Sequence, residues 1–218
     1  MIEAVVFDLD GVLLDSEQVW DEVREELVKE RGGRWHDRAQ TEMMGMSSIE
    51  WSRYMHDELG VPDPPQEISA DVVRRLEEVY RQRLPLIDGA HEAVERLAAR
   101  WPLGLASSSN LEVIDLVLDL SGLARFFRVT VSSEEVPRGK PEPDVYLEAA
   151  RGLGVPPERC AAVEDSHNGI RSAKAAGMRV VAIPNPTYPP DDEALALADV
   201  TIDSLDRLTP ELLASGSA

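Results

Sequence analysis

The chain has 218 residues, 43% of them hydrophobic, enough for a real core in one ordinary domain with a modest insertion. A formal net charge of -19 repels nucleic acid and anionic lipid, so neither is an expected partner, and any phosphorylated substrate needs a local cation at its site. Cys160 is the only cysteine, which excludes an intrachain disulfide. The opening IEAVVF lacks a basic leader and no apolar stretch approaches membrane-spanning length, so a soluble, cytoplasmic protein is expected.

Residues 2–9 form a short, almost uninterrupted apolar run with adjacent valines, which predicts a strand buried on both faces. From about 16 to 84 strand-like runs stop, and amphipathic, charge-rich patterns predict helices over 18–31, 48–59 and 69–82, with GVPDPP at 60–65 as a linker. Strand and helix then alternate. Strands are predicted over 103–106, 128–131, 160–163, 179–183 and 199–202, and helices over 88–100, 111–120, 144–153, 167–176 and 205–214. Asn110 reads as a helix N-cap, and Gly154 and Gly177 as helix stops. Alternation of this kind predicts an α/β fold with a doubly wound parallel sheet, because parallel neighbours need helical crossovers. The expected organisation is a core of residues 1–15 and 85–218 carrying an inserted helical cap, 16–84, on closely spaced linkers. The tail at 215–218 reads as frayed.

Four segments lie just beyond predicted strand ends, where open α/β sheets hold their ligands. Asp8 and Asp10 flank one residue, so both carboxylates can reach the same side, and Gly11 permits a tight turn. By itself DLDG also suits an ordinary turn. Glu164 and Asp165 add two acids at the same edge, and such crowded carboxylates either raise one another's pKa or recruit a cation. Oxygen donors without His or Cys point to Mg²⁺. Ser107, Ser108, Ser109 and Asn110 offer hydroxyls and N–H groups where a strand passes into a helix, which suits a phosphate oxygen as well as a cap. Lys140, one of three lysines, sits between Gly139 and Pro141.

DLDGVLLDSE, LASSSN, GKPEPDVY and VEDSHNGI, in this order and with a helical insertion after the first, resemble the haloacid dehalogenase superfamily, in particular its phosphoglycolate phosphatase and β-phosphoglucomutase branch. The resemblance covers nearly the whole chain. It implies a Mg²⁺-dependent phosphatase acting on a small-molecule phosphate monoester, with Asp8 as nucleophile and Asp10 as general acid/base. It further implies that Asp8, the Asp10 carbonyl and Asp165 bind the metal with Glu164 beside it, and that Ser107 and Lys140, assisted by Ser108 and Asn110, bind phosphate. Dehalogenases of the superfamily lack the second aspartate, so Asp10 argues for phosphate chemistry.

Two departures bear on the substrate. Trp20 stands where mutases of the family carry a His, and Met43 to Ser48 replaces their basic loop, which disfavours the alternative of a phosphosugar mutase. Trp20, Met44, Gly45 and Trp51 are candidates for contact with the carbon part of the substrate, although packing within the cap accounts for them equally. A receiver-type switch phosphorylated on Asp is a further alternative, and the long helical insertion counts against it.

Overall fold

The computed structural model describes residues 1–44 and 46–214. Six strands form one sheet: β1 (Ala4–Phe7), β2 (Leu103–Ser107), β3 (Phe127–Ser132), β4 (Cys160–Glu164), β5 (Arg179–Ala182) and β6 (Val200–Thr201). All pair in parallel, in the order β3-β2-β1-β4-β5-β6. β1, β2 and β4 are buried throughout, as their unbroken apolar runs require. Side chains of β1 alternate between two cores: Val5 and Phe7 join the larger apolar cluster, Ala4 and Val6 the smaller. The chain leaves β1 toward β2 and β3 on one side and returns to β4, β5 and β6 on the other. The carboxyl ends of β1, β2 and β4 therefore border the crevice at which such sheets bind ligands.

Between β1 and β2 lie α1 (Glu17–Glu30), α2 (Ala39–Met43), α3 (Ser48–Asp57), α4 (Pro65–Gln82) and α5 (Ala90–Ala98). α1 buries Trp20, Val23, Arg24, Leu27 and Val28, and α4 buries Ile68, Val72, Leu76 and Tyr80, each set at the spacing of one helix face. A capping box between Ser47 and Glu50 starts α3. Pro65, at the first position of α4, starts that helix four residues before the predicted point, since proline costs nothing where no N–H is needed. α2 was not among the predicted helices, because five residues are too few to show a period. The two chain segments that flank α1 to α4 run side by side, with the Asp15 N–H donating to Pro85 O at 2.8 Å and the Ile87 N–H to Leu13 O at 3.0 Å.

The remaining helices are α6 (Leu111–Ser121), α7 (Asp144–Leu153), α8 (His167–Ala175), α9 (Asp192–Leu195) and α10 (Pro210–Ala214). Gly154 and Gly177 end α7 and α8 with positive φ, as their sequence positions suggest. The tail at 215–218 lies outside the described residues. Among the described residues no helix is long and apolar enough to cross a membrane.

One predicted helix is corrected. Residues 205–214 are not continuous: a 3-10 turn at Leu205–Arg207 is separated from α10 by Leu208 and Thr209. Pro210 has no N–H to donate and pushes the preceding residue out of helical geometry. The carbonyls freed there are taken by Arg96 of α5, which donates to Leu205 O at 2.8 Å and to Leu208 O at 3.0 and 3.1 Å. Arg96→Met should therefore lower unfolding free energy by about 1–3 kcal/mol in denaturant titration. An unchanged midpoint would show that solvent replaces the guanidinium at no cost.

Candidate active site

Three strand ends build the site. The Asp8 N–H donates to Val163 O at 3.0 Å, so the β1–β4 ladder continues one residue past β1 and fixes the backbone from which the Asp8 carboxylate projects. Glu164 is the last residue of β4, and Asp165 follows it before Ser166 caps α8 by accepting the Gly169 N–H. Lys140 comes from the loop before α7. Its ammonium donates to Asp8 Oδ1 at 2.8 Å and to Glu164 Oε1 at 2.7 Å, with almost no solvent exposure. Gly11 and Gly169 let these acids approach. Gly11 has φ of 75°, and a Cβ there would lie 1.9 Å from Asp165 Oδ2, whereas one at Gly169 would lie 1.8 Å from Glu164 Oε1.

The electrostatics are unbalanced. Burial pushes the Asp8 carboxyl well above the ordinary carboxylate range; Lys140 opposes this, while Glu164 and Asp10 add to it. Asp165 is raised by burial and then by Glu164 and Asp8. Burial acts to lower Lys140, but Asp8 and Glu164 outweigh it and keep the ammonium charged. Glu164 is well supplied with donors: Lys140 and Tyr146 OH reach Oε1, while the Asp165 and Ser166 N–H groups and the Ser166 hydroxyl reach Oε2. Asp165 Oδ2 is buried without a hydrogen-bond partner. Oxygens of Asp8, Glu164 and Asp165 lie within 4.8 Å of one another. An orphaned carboxylate oxygen inside an acidic cluster fits a hard cation bound through oxygen.

Asp10 sits at the cavity wall with its carboxylate held by four donors. Ser16 and Trp20 reach Oδ1 at 2.6 and 3.2 Å, and Ser109 and Ser107 reach Oδ2 at 2.6 and 3.3 Å. Ser107, at the end of β2, is fully buried and also accepts the Ser109 N–H. Ser108 and Ser109 line the cavity with Asp8, Asp10, Lys140, Asp165 and Ser166. Asn110 belongs elsewhere: its amide donates to Glu134 at 2.9 Å and to Ser69 at 3.4 Å, in a neighbouring groove.

The helical segment contributes the rest of the lining, with Trp20, Met44 and Trp51 beside Glu17, Arg24, Met43 and Met46. Gly45 lies outside the described residues. Sequence reasoning passed over Arg24 and Glu17, and named Ser109 only as part of its serine run. Arg24 lies four residues after Trp20 on one helix face, a spacing that could have flagged it. Burial, reinforced by Asp10, lifts Glu17 to about 7. No histidine lines the cavity among the described residues.

Residues 2–177 match the family model of haloacid dehalogenase-like hydrolases. Hexitol phosphatase B of Escherichia coli (strain K12) is 35% identical over 212 residues, covering 95% of each chain. The phosphorylated carbohydrates phosphatase of Thermotoga maritima is 31% identical over 179 residues, covering 81% of this chain and 82% of that protein. A crystal structure of CbbY from Rhodobacter sphaeroides in complex with xylulose-(1,5)bisphosphate superposes with a TM-score of 0.84 at 30% identity, covering 95% of this chain and 96% of that one. With a doubly wound parallel sheet, an acidic cluster at its switch point and these relatives, the chain belongs to the haloacid dehalogenase-like hydrolases.

Proposed function

We propose that this phosphoric monoester hydrolase uses Asp8 as its nucleophile and Asp10 as its general acid and base, on a small-molecule phosphate monoester with an uncharged leaving group. The observation that carries the reading is the buried group of Asp8, Glu164 and Asp165, with Lys140 as its paired cation and Asp10 two residues from Asp8 at the same cavity. In the first step an Asp8 oxygen bonds to phosphorus as the ester P–O bond breaks, and Asp10 gives its proton to the departing alkoxide. In the second, Asp10 takes a proton from water, whose oxygen attacks phosphorus of the aspartyl-phosphate, releasing phosphate and restoring the Asp8 carboxylate. Lys140 and Ser108, which line the cavity, hold non-bridging phosphate oxygens during both steps, and Ser107, fully buried, acts through its hydrogen bonds to Asp10 and the Ser109 N–H. The position of the Asn110 amide supports a role in joining Ser69 and Glu134 rather than in binding phosphate.

Asp8, Asp165 and the Asp10 carbonyl would hold Mg²⁺, with Glu164 orienting the set through Lys140 and the amides after β4. When bound there, the ion supplies the positive charge that lets phosphate approach an ionised Asp8. The helices between residues 16 and 84 act in this reading as a cap over the core of 1–15 and 85–218. The hydrogen-bonded pair of connecting segments supports a hinge there. A single cysteine and the lack of a membrane-length helix among the described residues support a cytoplasmic setting.

The mutase alternative is less well supported. Trp20 is a donor without a basic nitrogen, and among the described residues the helical segment brings a single cation, Arg24, to the cavity lining, beside Glu17. Phosphate release measured beside glucose 1-phosphate isomerisation separates the two, and isomerisation outpacing release would favour the mutase.

Asp8→Asn should lower Mg²⁺-dependent release of phosphate from 4-nitrophenyl phosphate by at least about a thousandfold, and activity equal to wild type would sink the mechanism. Asp165→Asn should weaken Mg²⁺ binding by about 10- to 100-fold in calorimetric titration. Unchanged affinity would remove Asp165 from the metal site.

A further inference from the structure

We propose that Arg24 is a specificity-determining residue that reads a hydroxyl on the leaving group, so that the preferred substrates are phosphate esters of polyhydroxylated, uncharged compounds. The inference rests on the reading of the Asp8 site above and adds to it the group that distinguishes one ester from another.

Arg24 is 5% exposed, yet among the described residues no carboxylate oxygen lies within ion-pair distance of its guanidinium. It packs into the angle between two indoles that meet edge-on, with its central carbon 4.4 Å from the Trp20 ring centroid and 4.8 Å from that of Trp51. Contact with both rings offsets part of the cost of burying the charge, but rings do not replace N–H acceptors. Nη1 donates to Gln40 Oε1 at 3.3 Å, and Nε is buried without a partner. A cation so placed is expensive to keep and contributes little to stability. Its position explains it: Arg24 lines the cavity that contains Asp8 and Asp10, among the residues that the helical segment contributes.

The neighbours decide which chemistry fits. Gln40 joins Arg24 to Glu17, whose Oε2 accepts the Gln40 amide at 3.0 Å, and Glu17 lines the same cavity. Guanidinium and carboxylate together present donors beside acceptors. A hydroxyl can accept from the first and donate to the second, whereas a phosphate dianion or carboxylate can only accept and leaves the Glu17 acceptor unused. The indoles supply apolar faces for the carbon skeleton, and Met43, Met44 and Met46 close the rest. A site built around hydroxyl hydrogen bonds rejects an analogue that lacks the hydroxyl, because its buried groups are then left unpaired.

The test compares kcat/KM for sorbitol 6-phosphate and n-hexyl phosphate, with 2-phosphoglycolate as the anionic arm, in wild type, Arg24→Met and Arg24→Gln. Methionine keeps the packing between the indoles without donors, and glutamine keeps donors without charge. Wild type should prefer the sorbitol ester by at least tenfold, Arg24→Met should reduce that ratio to within about threefold of unity, and Arg24→Gln should recover part of it. A wild type without the preference, or an Arg24→Met ratio equal to wild type, would overturn the proposal and leave Arg24 as a packing residue. Preference for 2-phosphoglycolate that Arg24→Met removes would also overturn it, in favour of an anion subsite. The wild-type comparison stands even if Arg24→Met does not fold. Asp8→Asn run on the same substrates separates the two levels, since activity in that variant would count against the nucleophile assignment and not against Arg24.

Discussion

The site depends on one crowded set of charges: Lys140 buried between Asp8 and Glu164, with Asp165 beside them. Removing one member of such a buried pair typically costs about 3–5 kcal/mol, because the other is left uncompensated. Here the ammonium does not balance the carboxylates, so burial and mutual repulsion push Asp8 and Asp165 toward their protonated forms. This imbalance is what makes the cluster receptive to a cation and, with the cation, to a phosphate. A chain with a net charge of -19 acquires a phosphate site only by concentrating positive charge locally.

The sheet supplies the rigidity that such crowding demands. β1 and β4 are adjacent, so Asp8 and Glu164 emerge side by side from strands whose ladder extends past the last strand residue. Glycine at 11 and 169 removes the methyl groups that would otherwise occupy the space of the Asp165 and Glu164 carboxylates. Glu164 is also tied by Tyr146, by two backbone N–H groups and by Ser166. These contacts hold its carboxylate on Lys140.

Asp10 links this core to the helical wall. Its carboxylate accepts from Ser107 at the end of β2 and Ser109 just beyond it, and from Ser16 and Trp20 at the start of the helical segment. The indole that donates to Asp10 also carries Arg24 on its face and meets Trp51 edge-on at 6.0 Å between ring centroids. A change in the position of α1 therefore reaches Asp10 and the helical lining of the cavity together. Trp20, a candidate from the sequence for either substrate contact or packing, donates a hydrogen bond to Asp10.

Much of this was legible in the chain itself, for local reasons. Short β-branched runs ending in acids announced the buried parallel strands and the positions of Asp8, Asp10, Glu164 and Asp165, because period and strand-end chemistry are properties of neighbouring residues. What depends on distant residues was not. Lys140 is 132 positions from Asp8 and 24 from Glu164, and only the fold joins them in one ion pair. The Asn110 amide donates to Glu134 and Ser69, 24 and 41 positions away, which its place in the serine run does not indicate. Arg24 looked like one charge on an amphipathic helix, since local periodicity cannot tell a solvated arginine from one enclosed by two tryptophans from different helices. Sequence alone determined the sheet, its acidic edge and the family of chemistry; tertiary structure decided which side chains face the cavity, because that follows from packing between segments far apart in the chain.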